Sequence, residues 1–329
     1  MPLKNNQNSP EFRQDIISGE WVLIAPQRNK RLKKIKKKVG LDTSVKTCPF
    51  ENISKTHPII FEIKEKNWFV VVVPNKYPAV IDDFNCPLVI SKNFYNQITG
   101  IGVHDLIITS NHNKNFAQQT LQHSFLVLLA FRERYKQVMN NSCISYISIF
   151  HNWGREAGAT IYHPHYQLIA IPVIPPNILH YLNGSKRYFV KNKRCVHCDI
   201  IANEKKHKIR ILYENKSAIV IAPYVSKEPF ELRIYPKKHN SFFEETPDNI
   251  LYDIADALYY ALNKIEKKLK KPDYNFFINT APVKYKSKFS FYHWFIEIIP
   301  KLNIDAGFEL NTGIEINTIS PEMVIKILK

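Results

Sequence analysis

Hydrophobic positions recur along the chain with two different periods. Leu121, Phe125, Leu128, Phe131, Tyr135 and Val138 fall three or four residues apart, as do Ile250, Ile254, Ala257, Ala261, Ile265 and Leu269. That spacing gathers apolar side chains on one face of a helix, so it predicts two long amphipathic helices. Shorter runs rich in Val, Ile, Tyr and Phe, such as WFVVVV at Trp68–Val73 and ELRIYP at Glu231–Pro236, read as strands. A hairpin is expected over Ile16–Ala25, turning near Ser18-Gly19-Glu20. The pattern predicts an α+β architecture of two sheets covered by helices. The seam is expected near Pro175–Asn192, where a Pro-Pro opens a polar and basic stretch.

The landmarks also repeat. The first half runs Cys48-Pro-Phe-Glu51, VVVVPNKYPA, HDLIITSNHNKNF, a helical segment, then HPHYQLIAIP at His163–Pro172. The second half runs Cys195-Val-His-Cys198, AIVIAPYVSKEPF, ELRIYPKKHNSFF, a helical segment, then FYHWFIEIIP at Phe291–Pro300. Two tandem domains follow, at 1–178 and 190–329. A chain of 329 residues with 45% apolar residues is long enough for both cores.

Nine glycines are present, and none has the spacing of a Walker loop or a dinucleotide-binding fingerprint. Phosphate chemistry must therefore use other donors. The balance of 46 basic to 29 acidic residues favours anionic partners. Two lysine runs, Lys30–Lys38 and Lys264–Lys271, read either as nucleic-acid tracts or as a solvated loop and helix end. The solvated reading is preferred, so nucleic acid is not expected as a partner. Five cysteines suit no disulfide-rich secreted scaffold, no signal peptide is visible, and no apolar run could span a bilayer. A reducing cytoplasm without membrane association is expected, where a C-x-x-C is metal-binding or redox-active.

Cys195 and Cys198 have the spacing that lets two thiolates grip one Zn²⁺, and His239 and His293 complete a Cys2His2 set. A redox dithiol has the same spacing, but it would stand at a strand-to-helix junction, and extended segments are expected here. The repeat offers Cys48, Glu51, His112 and His163 as a counterpart. Glu51 stands where a cysteine is expected. Either its carboxylate is a harder zinc ligand, or it is solvated and the site holds no metal.

His163-Pro-His165-x-Gln167 is the sharpest signal. On an extended chain these three side chains share a face. With His163 committed to metal, His165 is left as a neutral imidazole, a good nucleophile toward phosphorus. Gln167 can donate its amide to a phosphoryl oxygen. The second half places Phe295 opposite His165, so only one half can perform this chemistry. The preceding loop, Asn152 to Thr160, carries small residues that admit a ligand, and Thr160 adds a hydroxyl. Arg28 and Arg31 could clamp a phosphate, though surface arginines are commoner.

These residues resemble the galactose-1-phosphate uridylyltransferase family of the histidine-triad superfamily. The resemblance rests on SGEWVLIAPQRNKR, CPFE, PNKYPAV, NWGREAGATIYHPHYQ, CVHCDII, FYHWFIEIIP and AGFELNTGIEIN, and it spans nearly the whole chain. It implies two histidine-triad-like domains, each an antiparallel sheet covered by helices. It also implies His165 as the covalent nucleophile, zinc at both four-residue sets, and nucleotide contacts at Asn75, Asn152, Gly158, Thr160 and Gln167. Sugar contacts would fall on Glu309 and Asn317, commonly from a neighbouring subunit, so a homodimer is implied. There are two departures from the family: Glu51 replaces its usual second cysteine, and Asn279 and Phe295 stand where some relatives have histidine.

The expected function is ping-pong nucleotidyl transfer. UDP-glucose and galactose 1-phosphate would exchange a UMP group through His165. The alternatives are an ADP-sugar phosphorylase of the same family and a non-catalytic, zinc-stabilised nucleotide-binding protein.

Overall fold

The N-terminal hairpin pairs β1 (Glu11–Gln14) with β2 (Trp21–Ile24), and Gly19 completes its turn at φ 82°. In the computed structural model, residues 9–28, 41–83, 86–87 and 89–329 are described. The first half continues with α1 (Ile53–Thr56), β3 (Phe61–Glu65), β4 (Trp68–Pro74), β5 (Val89–Lys92), β6 (Tyr95–Ile98) and β7 (Val103–Thr109). It closes with α2 (Leu121–Val138), β8 (Tyr146–Trp153) and β9 (His165–Ile171). Helix α3 (Pro176–Asn192) leads to α4 (Val196–His207), β10 (Ile211–Glu214), β11 (Ala218–Ile221) and β12 (Leu232–Pro236). The chain then forms α5 (Asp248–Leu269), β13 (Tyr274–Asn279), β14 (Phe295–Pro300), α6 (Gly307–Thr312), β15 (Glu315–Asn317) and α7 (Pro321–Leu328).

The main sheet has ten strands in the order β10-β11-β12-β14-β13-β8-β9-β7-β4-β3. That order reads the same from either edge once β3, β4, β7, β8 and β9 are matched to β10, β11, β12, β13 and β14. The repeat is therefore a near-twofold in space. The expectation of two sheets is corrected here, because β8 and β13 pair antiparallel, Asn152 opposite Asn275, and fuse the halves into one sheet. The two long helices fall where their periodicity placed them. Both cover the same face, and one apolar core runs across the seam from Val70 and Phe131 to Leu258 and Ile298. The other face carries two separate clusters, one per half: Phe50, Val71, Val73, Leu106 and Ile108 in the first, and Ile17, Tyr181, Tyr235 and Phe295 in the second.

Three further expectations change. The seam is helical: Ile178, Tyr181 and Leu182 of α3 are buried, so the polar and basic stretch is the solvated face of an amphipathic helix. Cys195 caps the N-terminus of α4, so a helix rather than an extended segment follows the C-x-x-C. It is preceded by helix α3, not by the strand a thioredoxin-like βαβ unit requires. Finally, Cys86 and Cys143 form a disulfide, while Cys48, Cys195 and Cys198 are free. No helix among the described residues is long and apolar enough to cross a membrane. Lys264–Lys271 occupies the C-terminal turns of α5, where Lys267, Lys268, Lys270 and Lys271 are exposed and complement the helix dipole. Lys30–Lys38 and Arg31 lie outside the described residues.

Candidate active site and metal centres

The two expected metal sets assemble. In each, the four ligand atoms lie within 4.8 Å of one another. Three of the four histidines donate to carbonyl acceptors. His112 Nε2 donates to Thr43 O at 3.0 Å, His163 Nε2 to Thr109 O at 2.6 Å, and His239 Nε2 to Ser290 O at 2.8 Å. A carbonyl only accepts, so each ring carries a proton on Nε2 and turns Nδ1 inward, the usual outer-shell arrangement of a metal-bound histidine.

Glu51 is an exposed residue, but it turns one carboxylate oxygen inward. Its Oε1 is 2.9 Å from His112 Nδ1 and 3.2 Å from His163 Nδ1. An Nδ1 lone pair facing a carboxylate oxygen at these distances is held by a proton or a metal cation between them. Cys48 Sγ completes the group at 3.6 Å from His163 Nδ1. The donor set therefore fits a divalent metal, with one oxygen ligand hardening an otherwise soft site. In the second set, Cys198 Sγ is 3.3 Å from His239 Nδ1 and 3.5 Å from His293 Nδ1. The hydrogen bond between the two thiols pushes the Cys195 pKa down and the Cys198 pKa up, so one thiolate forms readily and a zinc ion would displace the remaining proton.

Strand β9 begins at His165, so His163 stands on the bend just before it and turns into the metal group. The shared face holds for His165 and Gln167, which pair with Ile108 and Leu106 of β7. His165 Nδ1–H donates to the His163 carbonyl at 2.8 Å, leaving Nε2 as a lone pair. Burial lowers the His165 pKa, so the ring is neutral at pH 7. Phe50, from the C-P-F-E segment, packs against this ring at 5.2 Å.

Two histidines that carried no sequence signal support this pair. Buried His151 of β8 donates Nδ1–H to the His165 carbonyl at 2.8 Å. His104 Nδ1 accepts the Ala79 N–H at 3.0 Å, so its proton is on Nε2, which donates to Gln167 Oε1 at 3.0 Å. With its oxygen occupied, Gln167 presents its NH₂. The Asn75 side chain rests 3.0 Å from the same His104 nitrogen. Position i−2 from Leu106 on β7 was the only available hint that His104 shares the face of Gln167.

The loop before the histidines is held from the second half. Asn275 of β13 donates to Asn152 Oδ1 and to Ala157 O, each at 2.8 Å. Asp273 accepts the Glu156 N–H at 2.8 Å. Gly154, at φ 84°, is packed so closely on the Asp273 carboxylate that a Cβ would collide with it. Gly158, at φ 89°, and Thr160 are exposed at the end of this loop.

The expected sugar contacts collect elsewhere. β15 joins β2 in parallel, Asn317 opposite Ile24, so Arg28, Glu309 and Asn317 belong to one layer beside the second half. Arg28 is exposed, and Glu309 caps α6 by accepting the Ala306 N–H at 3.1 Å. Asn317 is 0% exposed, donates to Ser226 O and Glu228 O, and accepts the Ile319 N–H. Its side chain is wholly used in the fold, so the expectation of a sugar contact is withdrawn. Among the described residues, no hydrogen bond or ion pair links this layer to His165 or Gln167.

A family model described as galactose-1-phosphate uridyl transferase, N-terminal domain, matches residues 1–175, and one described as a domain of unknown function matches 91–328. The chain is 33% identical to ADP-glucose phosphorylase of Arabidopsis thaliana over 98% of its own length and 93% of that protein. The chain belongs to the galactose-1-phosphate uridylyltransferase family. It is 24% identical to the galactose-1-phosphate uridylyltransferase of Thermotoga maritima, over 97% of this chain and 98% of that one. A solved ADP-glucose phosphorylase from Arabidopsis thaliana with bound ADP-glucose superposes at TM-score 0.82 with 32% identity, covering 97% and 98% of the two chains. The α+β fold is thus the histidine-triad-like fold of a galactose-1-phosphate uridylyltransferase family member, and the protein is a nucleotidyltransferase of that family.

Proposed function

We propose that the protein transfers AMP from an ADP-sugar to inorganic phosphate through a covalent intermediate on His165. The observation that carries this chemistry is the tautomer lock on His165. Its Nδ1–H is spent on the His163 carbonyl, and a neutral Nε2 lone pair remains. Similarity over 98% of the chain to an ADP-glucose phosphorylase supports the adenylyl donor and makes this, rather than uridylyl exchange, the favoured reading. UMP transfer between sugar 1-phosphates is the second reading, supported by the relative from Thermotoga maritima.

In the first step Nε2 attacks the α-phosphorus. The P–N bond forms as the bridging P–O bond breaks, and sugar 1-phosphate leaves with the electron pair. In the second step a phosphate oxygen attacks the same phosphorus, the P–N bond breaks, and ADP departs with His165 neutral again. The Gln167 NH₂, oriented by His104, and the Thr160 hydroxyl stabilise charge on the equatorial oxygens. Asn75, Asn152 and Gly158 hold the nucleoside, Arg28 and Arg31 clamp a phosphate, and Glu309 contacts the sugar from a second copy of the chain. Zinc held by Cys48, Glu51, His112 and His163 would fix the His163 backbone, whose carbonyl orients His165; zinc at Cys195, Cys198, His239 and His293 would be structural.

Parallel assays of ADP-glucose with phosphate and of UDP-glucose with galactose 1-phosphate test this reading. Because a base-reading pocket can separate nucleotides strongly, kcat/KM for the ADP-glucose reaction is expected to be higher by about a hundredfold or more. The reverse ratio would establish the uridylyl reading. No turnover in either assay would leave a binding protein.

A further inference from the structure

Between Ile81 and Ile101 the chain leaves the main sheet and returns to the same point. Ile81 N–H donates to Gly100 O and Gly102 N–H to Ile81 O, each at 2.9 Å, so two hydrogen bonds close the neck of this excursion. Beyond the neck is the β5–β6 hairpin, which pairs with no strand of the main sheet. Its Val89, Phe94, Tyr95 and Ile98 are exposed, and two strands by themselves are marginally stable in water. The arm is tied to the rest of the fold covalently. Cys86, on its outgoing limb, is bonded to Cys143 in the turn before β8. Cys143 is 5% exposed and its N–H donates to Asn141 Oδ1 at 2.9 Å, whereas Cys86 is exposed.

The neck lies against the support of the catalytic strand. Ala79, whose N–H donates to His104 Nδ1, stands two residues before Ile81, and His104 itself stands two residues after Gly102. The seat leaves no slack for a displaced arm: a Cβ on Gly102 would collide with the Ala170 carbonyl of β9 and press on Val80. A swing of the arm about its neck therefore shifts Ala79 against His104. Their hydrogen bond is the one that puts the His104 proton on Nε2, toward Gln167. The other cysteines, Cys48, Cys195 and Cys198, are free and stand in the two candidate metal sets, where only a reduced sulfur can serve. Surroundings that keep those sulfurs reduced also bring thiols to the bridge, and a disulfide in such a place is typically an exchanging one.

We infer that Cys86 is a thiol-exchange site through which a dithiol reductant lowers the rate of nucleotidyl transfer. One thiolate of the reductant attacks the exposed Cys86 Sγ, a mixed disulfide forms, and Cys143 leaves as the thiolate. The second thiol of the reductant then attacks its own sulfur in the mixed disulfide, which frees Cys86 and leaves the reductant oxidised. Without the bridge the arm swings on its neck, the Ala79–His104 bond loosens, and Gln167 loses its fixed orientation. The effect on turnover rests on the catalytic reading of His165 and Gln167; the effect on the His104 support does not. Amide hydrogen exchange of the full chain, oxidised and after dithiothreitol, tests the inference, with alkylation mapped by peptide. Reduction should make Cys86 and Cys143 newly alkylatable and should speed exchange in the hairpin and in peptides spanning residues 75–81 by about tenfold or more. Turnover of ADP-glucose or UDP-glucose, whichever is the substrate, should fall roughly three- to tenfold with KM nearly unchanged. Cys86→Ser, assayed without reductant and so with no effect of dithiothreitol on zinc, should match the reduced protein and respond no further. A bridge that resists dithiothreitol in the folded protein, faster exchange confined to the hairpin, unchanged turnover after reduction, or a Cys86→Ser protein that behaves like the oxidised form would overturn the inference. If neither sugar nucleotide is turned over in either state, the catalytic reading fails, and exchange over residues 75–81 still decides whether the bridge controls the His104 support.

Discussion

Two side chains outside the reacting pair decide whether the site works as described. His104 reaches the phosphoryl group only through Gln167, so it is a positioning residue. Its replacement in His104→Phe should free the Gln167 amide to flip. The expected effect is a fall in kcat of about 10- to 100-fold with KM nearly unchanged, since the lost interaction is made in the transition state. Unchanged kcat, or a matching loss in a Gln167→Ala background, would remove His104 from the account. Glu51 is the other. If it is a metal ligand, Glu51→Cys exchanges a hard oxygen for a thiolate. Zinc should then resist chelators better, and the transfer rate should change little. Chelator competition with metal counting reads this directly, and equal resistance before and after would show that Glu51 is not the weak point. The two candidate metal-ligand sets were legible from residue type and spacing. His104 and His151 were not, because their roles arise from which strand faces which.

Among elements, the strand pairing between the halves is what the sequence concealed. Periodicity marks where strands and helices lie, and α2 and α5 fall within a few residues of their patterns. Nothing in the alternation of β8 or β13 says which edge each strand will meet, so one sheet was read as two. The Cys86–Cys143 bridge was equally silent, with a sequence separation of 57 and no motif around the partners. The pairing has a functional consequence. Asn275 and Asp273, both from the second half, hold the Asn152–Thr160 loop. Asn275→Ala should therefore lower kcat/KM by about tenfold, through loss of two hydrogen bonds to the loop, while leaving both metal sites loaded. Full activity in that variant would mean the first half holds its own loop.

At the scale of the whole molecule, the two halves divide the labour. In the proposed reaction the first supplies His165 as nucleophile, and the second fills the same position with Phe295, Tyr181 and an ion network. We propose that the second half's set, when it holds metal, is structural, fixing α4 against the segment that leads into β14. Cys198→Ala should release about one zinc per chain and cost several kcal/mol of stability, because binding of a structural zinc is coupled to folding. Activity should fall only as far as the protein unfolds, which assays across a thermal melt would reveal. A variant that lost activity at temperatures where it stays folded would place the second metal in the reaction.

The central claim is that His165, and no other residue, carries the nucleotidyl group. Brief incubation with ADP-glucose labelled at the α-phosphorus, without acceptor, followed by quenching and peptide mapping, tests it most directly. The account predicts acid-labile label on His165 that phosphate chases into ADP, and none on His165→Asn protein of unchanged zinc content and melting temperature. Label on another residue, or turnover by His165→Asn, would contradict it.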